Sequence, residues 1–150
     1  VLTLKPDHVE ALNNKGAILQ SFAHYDEALA AFDRAIAANP NYAESYYNRS
    51  FIRWQKQKGD PQAIRDLERA LALKPDYPYA LGDLLHLRMQ VGDWDSYARD
   101  VATIDTGLRA GRPVVRPFVY QAISESPAVL SHGRPVREPR PQQVRDHCAR

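Results

Sequence analysis

Three two-residue steps ending in proline, Lys5-Pro6, Asn39-Pro40 and Lys74-Pro75, recur along the chain at intervals of 34 and 35 residues. A period of that size restricts the fold to stacked copies of one small unit, each burying its apolar face on its neighbours. The segments ahead of the prolines correspond: Ala28-Leu29, Phe32 and Ala35 match Ala63-Ile64, Leu67 and Ala70. Leu12-Asn13-Asn14-Lys15-Gly16 likewise stands 34 residues before Tyr46-Tyr47-Asn48-Arg49-Ser50. The one additional residue of the second unit falls near Lys58-Gly59-Asp60-Pro61, in a turn where insertion costs little. Within each unit the apolar residues follow two helical periods, a helix A and then a helix B, divided by a short polar turn. Each proline lies just past a helix B, where its fixed φ and missing N–H stop a helix. Ala28 and Ala63 are small where helix A must come close to helix B. The expectation is an all-α solenoid.

The boundaries follow from the period. Residues 8–41 and 42–76 form two good units, and 77–110 a third, divergent one, with Tyr97 and Ile104 at the two small-residue positions and no closing proline on schedule. Its helix A is expected around Ala80-Leu81-Gly82-Asp83-Leu84-Leu85, its turn at Gly92-Asp93-Trp94, and its helix B from Asp95 to about Leu108. Residues 1–7 read as the end of a preceding helix B, so the chain looks cut from a longer array. Residues 111–130 read as a linker with short helices, one at Pro117–Ile123 and one at Ser126–Leu130, where serine caps and proline takes the first helical position. Residues 131–150 hold three prolines and five arginines but few aliphatic residues, so disorder is expected there. Leu12, Leu19, Phe22, Tyr25, Leu29, Phe32, Ile36, Ile64, Leu67 and Leu71 are assigned to the core.

The spacing of an aromatic or leucine, a glycine or serine four residues on, and then Ala, Phe, Ala and Pro resembles the tetratricopeptide repeat (TPR). A second, narrower resemblance runs through Leu81-Gly82-Asp83-Leu84-Leu85-His86, Gly92-Asp93-Trp94, Gly107–Pro113, Pro117-Phe118 and Ser126-Pro127-Ala128. These residues are similar to the segment joining repeats to catalytic domain in bacterial proteins of the O-linked N-acetylglucosamine transferase (SPINDLY-like) family. In that family a catalytic domain follows. Here residues 131–150 do not look like its start, and truncation and a shifted reading frame both stay open.

The TPR resemblance implies that the A helices line a concave groove holding a protein or peptide segment. Helix A residues not needed for packing are then the candidate contacts: Asn13, Asn14 and Ala17, then Tyr47, Asn48, Phe51, Trp54 and Gln55, then Tyr79, Asp83 and His86. Asn14 and Asn48 share a register. An amide both donates and accepts, so a column of them can pair with the backbone of an extended peptide without reading its side chains. The transferase resemblance implies the same asparagine ladder, which Asp83 breaks. The plainer alternative is a solvated polar face, with the aromatic residues packed on neighbouring helices. TPR domains that clamp acidic chaperone C-termini resemble this chain only at Asn48; Asn13, Ala17, Tyr79 and Asp83 replace the other clamp residues, and Asp83 would repel a carboxylate.

Other chemistry is sparse. The five histidines lack metal-ligand spacing, and no phosphate-binding loop, nucleophile triad or carboxylate pair is evident. No catalytic residue, cofactor or metal is expected. A net charge of +2 divides into about −2 for residues 1–104 (12 basic, 14 acidic) and +4 for 105–150 (8 basic, 4 acidic). The arginine-rich tail has no recognition fold around it, so nucleic acid is disfavoured as a partner. One cysteine, Cys148, cannot close an internal disulfide. With no apolar run of membrane length and no basic-then-apolar leader, cytoplasmic residence is the expectation. Self-association through end helices is a second partner class. The leading function is a protein-interaction module. The alternative is the substrate-recruiting part of a glycosyltransferase of the O-linked N-acetylglucosamine type, without its catalytic domain.

Overall fold

A computed structural model describes residues 8–124, and every regular element among them is an α-helix. The order is α1 (Val9–Ser21), α2 (Tyr25–Ala38), α3 (Ala43–Lys56), α4 (Pro61–Leu73), α5 (Ala80–Gln90), α6 (Tyr97–Arg109) and α7 (Pro117–Ser124). The segment assigned to a preceding repeat, the second linker helix and the tail lie outside the described residues.

Helices α1 and α2 form one antiparallel pair and α3 and α4 the next. The turn between α1 and α2 spans residues 22–24 and that between α3 and α4 spans 57–60, so the inserted residue sits where the period places it. At that turn the Asp60 carboxylate accepts from the Gln62 N–H at 2.8 Å, and Pro61 takes the first helical position. The cap satisfies one of the helix's unpaired amides and the proline gives up an N–H that had no partner.

Small residues set the distance within each pair. Ala28, Ala35, Ala63 and Ala70 are completely buried, and a Cβ added to Gly16 would lie 2.6 Å from the Phe32 ring. Phe32 therefore packs directly against the α1 backbone at Gly16, and with Ala28 and Ile52 it forms the core that binds the first pair to α3. Trp54, Ala63, Leu67, Ala80, Leu84 and Leu87 form the next core, carrying the stack from α3 and α4 to α5. Of the residues assigned to the core, Phe22 is the exception at 71% exposure. α1 ends at Ser21, so Phe22 falls at its C-cap and is carried off the packing face.

The third pair closes differently. Tyr97 stands where Ala28 and Ala63 stand in the earlier pairs, and its bulk keeps α6 from lying directly on α5. The chain fills the gap with its own continuation. Leu85, Ile104, Val115, Val119 and Ile123 make one buried cluster, and the Tyr97 O–H donates to the Ile123 carbonyl at 2.8 Å. A Cβ on Gly82 would lie 2.5 Å from Val115, and one on Gly107 2.6 Å from Val114. The N–H groups of Tyr79 and Gly82 donate to the carbonyls of Pro113 and Val114 at 2.7 and 3.1 Å. Residues 112–124, expected to be a linker, thus share the core of the third pair.

Arginines on the A helices fasten successive pairs. Arg49 on α3 grips Asp66 on α4 through Nε and Nη2 at 2.9 and 2.6 Å, while its Nη1 reaches Asp33 on α2 at 2.7 Å. Arg88 on α5 repeats the plan, pairing with Glu68 on α4 at 2.7 Å and with Asp100 on α6 at 3.0 Å. Each spans the acid of its own helix B and that of the helix B before.

Candidate functional site

The A helices α1, α3 and α5 lie side by side, and their facing side chains are joined by one repeated contact. The Asn48 amide donates to Asn13 Oδ1 at 3.2 Å, and one unit later the Tyr47 hydroxyl donates to Asp83 Oδ2 at 2.8 Å. In each case the partner lies one register position before the ladder position, on the preceding helix A. Asn13 also accepts from the Ser45 hydroxyl at 3.2 Å and is buried. Its amide oxygen is used between helices, whereas Asn14 is exposed. Asn48 is half-buried and keeps its own carbonyl and a second N–H for further bonds.

Beyond Asn48 the wall turns apolar and charged. A groove of about 400 Å³ is lined by Phe51, Trp54, Gln55, Asp83, His86 and Arg116, among others. Trp54 is 8% exposed and belongs mainly to the core between α3 and α5, while Phe51 is exposed. The candidates thus fall into two groups. Asn13 and Asn48 meet between α1 and α3, Phe51, Trp54, Asp83 and His86 line the α3–α5 groove with Tyr47 bonded to Asp83, and Asn14 is exposed on α1. Ala17 is exposed on α1.

Asp83 is 6% exposed. Burial pushes its carboxyl up from the ordinary aspartate value, and the Tyr47 hydrogen bond and the Arg116 charge pull the other way. The Tyr47 phenol is driven well above its usual range by burial and by Asp83, so it remains a neutral donor. His86 is pushed down by burial, which favours the neutral ring, and its Nδ1 is buried without a hydrogen-bond partner. Its Nε2 faces the Gln90 amide at 2.6 Å.

The residue that sequence reasoning missed is Arg116. Its Nη2 donates to the Tyr47 hydroxyl at 2.7 Å and stands 3.4 Å from Asp83 Oδ2, and its guanidinium lies over the rings of Phe51 and Tyr79. Asp83 is therefore a paired carboxylate rather than the bare repulsive charge its position suggests. Nothing in the sequence singles out Arg116 from the other tail arginines; only the docking of residues 112–116 on α5 delivers it to the wall. Of the fastening network only the acids keep the period, Asp66 and Asp100 standing 34 residues apart, whereas Arg49 and Arg88 are 39 apart and Arg88 shares its register with Arg53.

Among the described residues, no group of His, Cys, Asp and Glu side chains gathers as a metal site, and no helix is long and apolar enough to cross a membrane. The arrangement is one of hydrogen-bonding amides, aromatic faces and a neutralised carboxylate, which suits binding.

Residues 9–42 match the family model of the tetratricopeptide repeat. The chain is also similar to a UDP-N-acetylglucosamine–peptide N-acetylglucosaminyltransferase of Giardia intestinalis, at 21% identity over 97% of this chain and 9% of that protein. It is 33% identical to a tetratricopeptide repeat and J domain-containing co-chaperone, DNJ1, of Fusarium oxysporum, over 63% of this chain and 17% of that protein. The chain thus spans less than a fifth of either relative. Residues 9–42 thus carry one tetratricopeptide repeat, the second helix pair repeats its packing in register, and the described residues have an all-α, solenoid architecture.

Proposed function

We propose that this chain is a non-catalytic interaction module that holds an extended polypeptide along the wall of its A helices. The observation that supports the reading is the groove lined by Phe51, Trp54, Gln55 and Asp83, one turn along α3 from Asn48, which shares its 34-residue register with the exposed Asn14. Amides at that spacing bond peptide N–H and C=O groups whatever the side chains, and the groove beyond supplies apolar contact for one or two of them. Repeats of this type generally bind proteins or peptides, which supports the choice of partner class.

The test is a peptide-array screen with the intact chain and its Asn14→Ala, Asn48→Ala double variant. Two lost hydrogen bonds at about 1 kcal/mol each weaken binding by roughly thirtyfold. Unchanged binding by the double variant would remove the ladder from the account.

One observation favours a second, narrower reading. The similarity to the N-acetylglucosaminyltransferase runs over 97% of the chain and so includes the third pair and α7. On that reading the module recruits substrate for a glycosyltransferase domain and is inactive alone. The coding sequence beyond Arg150, or in another frame after Leu130, discriminates the two: a following glycosyltransferase domain supports recruitment, and its absence leaves the interaction module standing alone.

A further inference from the structure

The groups around the Arg116 guanidinium come from two A helices and leave little of its chemistry unmatched. Phe51 on α3 and Tyr79 at the start of α5 present their rings at 5.4 and 5.7 Å from the guanidinium carbon. The Tyr47 hydroxyl accepts from Nη2 and donates its own hydrogen bond to the buried carboxylate of Asp83. Two aromatic faces and a buried carboxylate make a receptor suited to a planar cation. Tyr79 reaches it from a left-handed backbone, φ 65°, a costly conformation for a bulky residue. The hydrogen bond from its N–H to Pro113 helps to hold that geometry. Phe51, Asp83 and Arg116 also line the peptide groove, so the receptor opens directly into it.

The occupant is less firmly held than its receptor. The Arg116 side chain is 40% exposed, whereas the residues on either side anchor the segment by themselves, through Val115 and Val119 in the third core. Val115 and Val119 thus anchor α7 independently of the guanidinium, which is open to water on one side.

We infer that Tyr47, Phe51, Tyr79 and Asp83 form a guanidinium subsite of the peptide groove that this chain fills with its own Arg116, so that a polypeptide runs on past α3 only by placing an arginine there in its stead. The inference rests on the groove reading above and deepens it by naming one side chain of the ligand.

The test uses the intact chain with N-acetyl-arginine amide as probe and the ring resonances of Tyr47, Phe51 and Tyr79 as readout. Arg116→Ala is expected to bind the probe about tenfold or more tightly than the parent chain, because the resident competitor is gone. N-acetyl-citrulline amide, which has the same shape without the charge, gives no such gain, and Asp83→Asn in the Arg116→Ala background abolishes it. Arg116→Gln, which keeps an aliphatic stem, provides the same comparison if the alanine variant loosens α7. Equal response of parent and variants, or citrulline binding as well as arginine, overturns the subsite. Failure here with the Asn14 and Asn48 dependence intact removes the subsite alone, and the reverse pattern removes the ladder alone.

Discussion

Arg49 shows how much of this array depends on single side chains. Its guanidinium satisfies both oxygens of Asp66, a carboxylate only 6% exposed, and reaches across to Asp33 on the previous pair. Arg49→Ala would leave Asp66 buried with Arg53 alone, whose Nε is 3.3 Å away. Removing one partner of a buried pair costs about 3–5 kcal/mol. The remaining arginine puts the expected loss near the lower end, about 3 kcal/mol, measured by urea denaturation. A loss below about 0.5 kcal/mol, the level of an ordinary surface substitution, would show that the network is ornamental. Arg49→Lys is not a conservative change here, because a lysine cannot supply the two parallel bonds that Asp66 accepts.

At the scale of helices, the first two pairs and the third obey different rules, and Gly82 marks the difference. A methyl there would meet Val115 at 2.5 Å on its side chain and 2.9 Å at its Cα, so the collision involves backbone and cannot be relieved by a rotamer change. Gly82→Ala is expected to cost about 1–3 kcal/mol and to speed amide exchange through residues 112–124 while leaving α1–α4 unchanged. Uniform change along the chain would instead mean that the segment is no separate layer. The first four helices are legible from sequence because the small alanines, the prolines and the apolar period all recur. The identity of the third helix A is legible too, α5 beginning at Ala80 as expected, and helix B starts at Tyr97, two residues later than the sequence places it. The role of residues 112–124 is not legible: Val114, Val115 and Val119 carry no period, and only the gap created by Tyr97 and the bare backbones of Gly82 and Gly107 explains where they go. The candidate wall divides in the same way. The period puts Asn14 and Asn48 in one register, but it is Asn13 that meets Asn48 and is buried with Ser45 of the next unit, and Arg116 enters the site from outside the repeat altogether.

The described residues form a one-dimensional stack, each pair resting on the next through a small core and fastened by Arg49 and Arg88, with a third core closing the last pair on residues 112–124. Such arrays keep binding residues in line over long distances because every unit repeats the placement of the last. The proposed function therefore turns on which side of the stack would meet a peptide. A photo-reactive residue placed in turn at Ala17 and Phe51 on the A helices, and at Ala30 and Glu68 on the B helices, would report this for any peptide selected on the array. The account predicts that Ala17 and Phe51 capture the peptide and that Ala30 and Glu68 do not. Capture from Ala30 or Glu68 with equal or greater yield would contradict it.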